Sequence, residues 1–182
     1  STCLKVESVS TRQEPSAKVT VIRMKDTAYP FYVNVCYRAY EDVDMIETWT
    51  EIENREKKPV KLTRFDSGSI PVRYGNVWLT HLAGSANNEG RLIQEPLERG
   101  MLVLRNKDGV RNTHTDHPEV MFSLDGKPLE HTGQVIGAAL CYSGNYELRV
   151  HTHQGSYHEF YAGINPDNSA YTLEPKEIFT TP

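Results

Sequence analysis

The sequence predicts an all-β fold, a two-layer antiparallel β-sandwich of about a dozen strands with little helix. Three observations carry this. Short runs of alternating apolar and polar residues recur at roughly 8–12-residue spacing, separated by turn-forming residues. Few windows place apolar residues at i, i+3, i+4 and i+7, as an amphipathic helix requires. The longest clean alternation, residues 44–54 (DMIETWTEIEN), sets Ile46, Thr48, Thr50 and Ile52 on one side. Glu47, Trp49, Glu51 and Glu53 fall on the other, since side chains alternate along a strand.

Taken in order, residues 1–17 are polar and read as irregular. Residues 18–24 (KVTVIRM) alternate as a strand, 26–30 turn, and 31–40 (FYVNVCYRAY) place Phe31, Val33, Val35 and Tyr37 on one side. After the strand at 44–54, the segment NREKKP is a polar turn closed by proline. It predicts that 60–65 (VKLTRF) returns antiparallel to that strand. Strands follow at 69–73 and 76–82, then a loop at 84–90 (GSANNEG). Further strands are expected at 91–94, 101–105, 119–124, 134–142, 146–151 and 157–164. Long polar or glycine-bearing segments join them, among them 106–116, the turn 125–128 and the hairpin turn Gly144-Asn145. The tail carries short apolar pieces at 171–173 and 178–182. No repeat or composition break appears, so 1–182 reads as a single domain.

A chain of 182 residues is long enough to bury a core without disulfide or metal support. Its net charge of −4 gives no electrostatic basis for nucleic acid or an anionic membrane. No apolar run approaches the ~18 residues of a membrane-spanning helix. The chain starts at Ser, without a basic region and apolar stretch, and is expected to be a processed or excised piece. The compartment, cytoplasmic or periplasmic, stays open. The three cysteines, Cys3, Cys36 and Cys141, form no CxxC pair. Cys36 and Cys141 sit in apolar runs and are expected to be buried free thiols.

Trp49 among acids points to a sugar platform flanked by catalytic carboxylates. Strand geometry argues against the acids. A retaining glycosidase holds two carboxyls about 5–5.5 Å apart and an inverting one about 6.5–9.5 Å apart, across the sugar. Glu47 and Glu51 are roughly 13 Å apart along a strand, and Glu51 and Glu53 project in parallel from one surface. No catalytic pair is therefore assigned to this strand. Trp78, between Val77 and Leu79, is expected in the core. His114 and His117 share a loop, and His151 and His153 share a strand face, but no spacing supplies a third ligand. No metal and no cofactor are expected, and no nucleotide loop or nucleophile elbow occurs. The loop Gly84-Ser85-Ala86-Asn87-Asn88-Glu89-Gly90-Arg91 is the most function-like connection, with amides, an acid and a base between glycines.

Several segments in order carry a resemblance: 43–52 (VDMIETWTEI), Lys57-Lys58-Pro59-Val60 with Arg64-Phe65, Val77 to Leu82 and Gly84-Ser85 with 88–92 (NEGRL). Val135-Ile136-Gly137, 143–146 (SGNY), 162–165 (AGIN), 173–175 (LEP) and 179–182 (FTTP) continue it. Over about 18–182 the chain resembles the N-terminal β-supersandwich domain, galactose-mutarotase-like, of glycoside hydrolase family 36 α-galactosidases. The resemblance implies that an Asp nucleophile and an Asp acid/base lie in a downstream (β/α)₈ barrel of a parent chain. It also implies an α-galactoside oligosaccharide substrate for that parent, a homo-oligomer, and an N-terminal domain that helps shape a neighbouring active site. Where the family pattern is Gly-x-Trp-x-x-Glu, this chain carries Ala86. Asn87, Asn88, Glu89, Arg91 and Trp49 are the candidate substrate-binding residues. A stand-alone carbohydrate-binding module and a purely structural interaction protein are the alternatives.

Overall fold

The computed structural model describes residues 2–85, 87–111, 115–155 and 157–182. Among these, the chain forms fifteen strands and no helix. It divides into two compact units, Ser1–Gly68 with Pro166–Pro182, and Ser69–Asn165. The first unit is drawn from both ends of the chain, so no composition break along the sequence marks it.

The first unit is built on a five-stranded sheet. Its strands are β1 (Leu4–Glu14), β2 (Ala17–Asp26), β3 (Phe31–Tyr40), β4 (Ile46–Asn54) and β15 (Ile178–Thr180), in that spatial order. All neighbouring pairs are antiparallel. A two-stranded ribbon joins β5 (Val60–Leu62) to β14 (Tyr171–Leu173). Phe31, Val33, Ile52, Leu62 and Leu173 form the core, with Phe65, Tyr171 and Phe179 packed against it. The Phe65 and Phe179 rings meet edge-on at 4.7 Å, the geometry that ring quadrupoles favour.

Three expectations are corrected here. Residues expected to be irregular include β1, an edge strand that gives almost nothing to the core: Val6 and Val9 are 61% and 62% exposed. A strand without a buried face lacks the alternation that reveals strands. On β4, Thr50 and Ile52 are buried as expected, but Ile46 is 67% exposed because the strand's first residues run beyond the core. The return of 60–65 onto β4 does not occur. The neighbours of β4 are β3 and β15, and β5 pairs instead with β14.

Asn54 explains that departure. It ends β4 fully buried. Its Nδ2 donates to the carbonyls of Lys58 and Leu173, both at 3.0 Å, and its Oδ1 accepts from the Glu56 amide at 2.9 Å. Its backbone amide donates to Glu177 O at 3.1 Å, and its carbonyl accepts from the Lys176 amide at 2.7 Å. One side chain thus fixes the turn after β4 and binds it to the C-terminal segment. Buried backbone groups must be paired, and here an amide side chain supplies the pairing.

The second unit is a two-layer sandwich. One sheet has the order β11 (Val135–Ala139), β10 (Asp116–Ser123), β7 (Trp78–Ala83), β8 (Arg91–Pro96). The other has β6 (Gly68–Tyr74), β13 (Tyr157–Ile164), β12 (Tyr146–Thr152), β9 (Gly100–Arg105). Val77, Leu79, Val120 and Phe122 meet Leu104, Tyr146, Leu148, Val150 and Phe160 between them, and the Phe122 and Phe160 rings lie 5.3 Å apart. Tyr146 is fully buried and its hydroxyl donates to Asp116 O. Burial and the nearby Asp116 and Glu119 charges push its phenol well above the ordinary range.

Trp78 and Cys141 depart from expectation. Trp78 is only partly buried, because Val77 and Leu79 take the inward positions, and Lys127 Nζ stands 5.9 Å over its ring. Cys141 is exposed, having left β11 two residues earlier, whereas Cys36 is buried as expected. No helix among the described residues is long and apolar enough to cross a membrane.

Replacing Asn54 with Ala strips two carbonyls and one amide of their partner, so it should cost about 2–4 kcal/mol. Asn54→Asp, which keeps the acceptor and loses the donor, should retain little of that. Urea unfolding of both variants checks this; an Asp variant as stable as the parent would show that the Nδ2 bonds contribute nothing.

Candidate functional site

The sheet face carrying Trp49 is assembled by register. Trp49 lies opposite Cys36, Glu51 opposite Asn34, Glu53 opposite Tyr32 and Glu47 opposite Arg38. On the next strand Arg23 lies opposite Asn34 and Val19 opposite Arg38. The carboxylates of β4 therefore meet cations and amides from β2 and β3, and Arg55 just past β4.

Two clusters result. In the first, Arg23 donates to Glu7 at 3.2 Å, to Asn34 Oδ1 at 3.1 Å and to Glu53 at 2.9 Å. Its guanidinium also lies 4.4 Å from the centre of the Tyr32 ring. Arg55 donates to Glu53 at 2.6 Å and lies 4.7 Å from the same ring. In the second, Arg38 donates to Glu14 at 3.1 Å and to Glu47, and stands 5.1 Å over the Trp49 ring. The Trp49 indole N–H donates to Glu51 at 3.3 Å, and Asn34 Nδ2 donates to the other Glu51 oxygen at 3.0 Å.

Electrostatics follow from these contacts. Burial would raise the Glu53 carboxyl, but hydrogen bonds from Arg55 and Arg23 outweigh it and hold the group below the ordinary range. Glu47 and Glu53 likewise hold Arg38 and Arg55 firmly charged. Beneath Trp49, the Cys36 thiol is pushed up to about 11 by burial and the Glu51 charge, so it is an unreactive thiol at neutral pH. Glu53 is thus the opposite of a general acid, whose carboxyl must be raised. The face can hold its own side chains rigid; it does not oppose two acids across a sugar.

The loop candidates sit in the second unit, on the hairpin between β7 and β8, where Ala83 pairs with Arg91. Ser85 and Asn88 exchange backbone hydrogen bonds at 3.3 and 3.0 Å, and Gly84 N donates to Thr115 O at 2.8 Å. Asn87 takes φ 72° and Gly90 φ 67°, a left-handed conformation that Asn and Gly tolerate best. Asn87, Asn88, Glu89 and Arg91 are all exposed. The structure therefore groups these four and assigns Trp49 to the other unit. Ala86 and His114 lie outside the described residues. Two surface depressions stand out in the first unit, about 540 Å³ lined by Glu53, Arg55, Glu56, Lys57, Pro175 and Lys176, and about 320 Å³ beside Lys5, Glu7 and Asp26. Neither is walled by the candidate residues.

Sequence reasoning saw His151 and His153 on one strand face but missed Glu159, which the β12–β13 register puts opposite His151. The alternation of 157–164 carried that signal, once paired with the preceding strand. His117 meets Glu119 at 3.0 Å.

Comparison with known proteins adds family context. Residues 4–174 match the family model described as the glycosyl hydrolase family 36 N-terminal domain. Alpha-galactosidase AgaA of Geobacillus stearothermophilus is 28% identical over 169 residues, 93% of this chain and 23% of that protein. Alpha-galactosidase Mel36A of Lactobacillus acidophilus is 26% identical over 94% of this chain and 23% of its own length. A crystal structure of a Geobacillus stearothermophilus AgaA variant in complex with stachyose superposes with a TM-score of 0.92 at 25% identity. It covers 100% of this chain and 27% of the other. The chain thus spans about a quarter of the length of the relatives it matches.

The depressed Glu53 carboxyl makes a pH-dependent prediction. Its stabilisation is fully present above the ordinary glutamate value of 4.5 and is lost as pH falls through its lower folded value. Glu53→Gln should cost about 1–3 kcal/mol near neutral pH, and the gap to the parent should close as pH drops below that window. Denaturation midpoints across pH measure this; a gap that stays constant would exclude the charge as the cause.

Proposed function

The chain belongs to the glycosyl hydrolase family 36 N-terminal domain family, and we propose that it is the non-catalytic N-terminal β-sandwich domain of a retaining α-galactosidase-type enzyme. The family match carries this reading. It runs through both compact units, which supports treating 1–182 as one domain of the parent. The parent would hydrolyse terminal α-galactosides of oligosaccharides through a covalent intermediate, with both catalytic carboxylates on a (β/α)₈ barrel elsewhere in the same polypeptide. The paired carboxylates of β4 support a role for this domain as scaffold rather than as acid and base.

The second part of the proposal concerns the pocket rim. In a homo-oligomer of the parent, Asn87, Asn88, Glu89 and Arg91 would reach towards a substrate pocket. Their support is a short hairpin held by its own backbone bonds that presents four polar, exposed side chains. Such a loop adds hydrogen bonds to sugar hydroxyls with little ordering cost. Trp49 is the weaker candidate, because Arg38 already covers one face of its ring and Glu51 takes its N–H. That also disfavours a stand-alone carbohydrate-binding module with Trp49 as its stacking platform.

The 182-residue chain should leave an aryl α-galactoside uncleaved, and robust turnover would sink the assignment of catalysis to another domain. In the full-length parent, Glu89→Ala and Arg91→Ala should each raise KM for a raffinose-type sugar about tenfold, the loss of one or two hydrogen bonds. An unchanged KM in both variants would remove the loop from the pocket.

A further inference from the structure

The β12–β13 hairpin carries, on the face turned away from the sandwich core, a side-chain cluster that the proposed function does not use. His151 and His153 are two residues apart, so both imidazoles leave the chain on one side. Glu159 stands directly opposite His151 in the ladder. The two imidazole rings lie 3.8 Å apart, centre to centre. Nε2 of His153 is 2.7 Å from Oε2 of Glu159. One ligand atom from each of the three residues falls within 4.8 Å of the other two.

We propose that His151, His153 and Glu159 form a binding site for one divalent transition-metal ion of the zinc, cobalt or nickel class, with water completing the coordination. The donor set selects the class. Two imidazoles and a carboxylate suit borderline transition ions, whereas calcium and magnesium want oxygen ligands. Zinc takes imidazole nitrogen at about 2.0–2.1 Å and carboxylate oxygen at about 2.0–2.2 Å.

The surroundings favour an ion. Two rings 3.8 Å apart place two imidazole donors side by side on one face of the hairpin. No hydrogen bond among the described residues occupies a ring nitrogen of His151. Glu159 is already oriented: the Tyr161 hydroxyl donates to its Oε2 at 2.9 Å and the Tyr157 hydroxyl to its Oε1 at 3.5 Å. Such outer partners fix a ligand carboxylate in place. Arg149, the one arginine of β12, is drawn to Glu147 at 3.3 Å and lies 5.0 Å over the Tyr161 ring. On binding, the ion takes the place of the direct His153–Glu159 contact.

The test titrates Zn²⁺ alone, and separately Co²⁺ alone, into the chain in a Cys3→Ser, Cys141→Ser background, because both thiols are exposed. Calorimetry should give one ion per chain, and Co²⁺ should gain visible d–d absorption. His151→Gln and His153→Ala should each weaken binding more than about 100-fold, beyond the 10–100-fold range of outer-shell changes, and Tyr161→Phe should fall within that range. His151→Gln is the decisive variant, since no hydrogen bond of the described residues is lost with the imidazole and its metal-free melting temperature should match the parent's. No saturable binding of either ion at millimolar concentration overturns the proposal. So does binding that His151→Gln leaves unchanged.

Discussion

Three buried asparagine side chains are the constraint on which the loops of this fold depend. Asn54, Asn106 and Asn165 are 0–1% exposed, and each stands where a strand gives way to irregular backbone. A β-ladder satisfies its own amides and carbonyls, but a chain leaving the ladder inside the protein must find other partners. Asn54 does this for the first unit. In the second, Asn106 Nδ2 donates to Gly109 O at 2.8 Å and Gly144 O at 3.3 Å, while its Oδ1 accepts from Asp108 N at 3.0 Å. Asn165 Nδ2 donates to Asn106 O at 3.1 Å, and Asn145 Oδ1 receives the Gly109 amide at 2.7 Å. An amide side chain suits this work because it donates and accepts at once. Asp could not donate and Leu could do neither.

The outer face of the five-stranded sheet uses a different economy. Three glutamates of β4 would repel one another if left bare, as like charges on one strand face do. Arg23 and Arg55 answer Glu53, Arg38 answers Glu47, Glu51 is held by Asn34 and Trp49, and each guanidinium also covers an aromatic ring. Planar guanidinium can bond a carboxylate in its plane and stack on a ring with its face, so one residue serves both needs. The outcome is a polar surface whose carboxylates are paired within the unit rather than free to exchange protons.

How much of this was legible in the sequence follows from range. Strands with one buried face declared themselves by alternation, as at 18–24, 31–40 and 146–151. The strand at 4–14 did not, because both of its faces meet solvent. The pairing of β5 with β14 was hidden because it joins residues more than a hundred positions apart, and the asparagine that enforces it looks like an ordinary turn residue. At the candidate site, Trp49 among acids was visible locally, whereas its cover by Arg38 needed the β3–β4 register. The family segments were readable from their order, and the match over 4–174 bears them out. Glu159 joined His151 and His153 only through hairpin pairing.

The split origin of the first unit bears on how the polypeptide matures. The second unit is one continuous stretch, Ser69–Asn165, and all its strand partners have been synthesised before the first unit can finish. The five-stranded sheet lacks its last strand, and β5 its ladder partner β14, until Tyr171–Thr180 has left the ribosome. Throughout that interval Ile52, Leu62 and Phe65 lack the neighbours Leu173 and Phe179. Contacts this distant in sequence close slowly and leave apolar surface open while they do. The nascent first unit is therefore the later of the two units to close, although most of its residues precede the second.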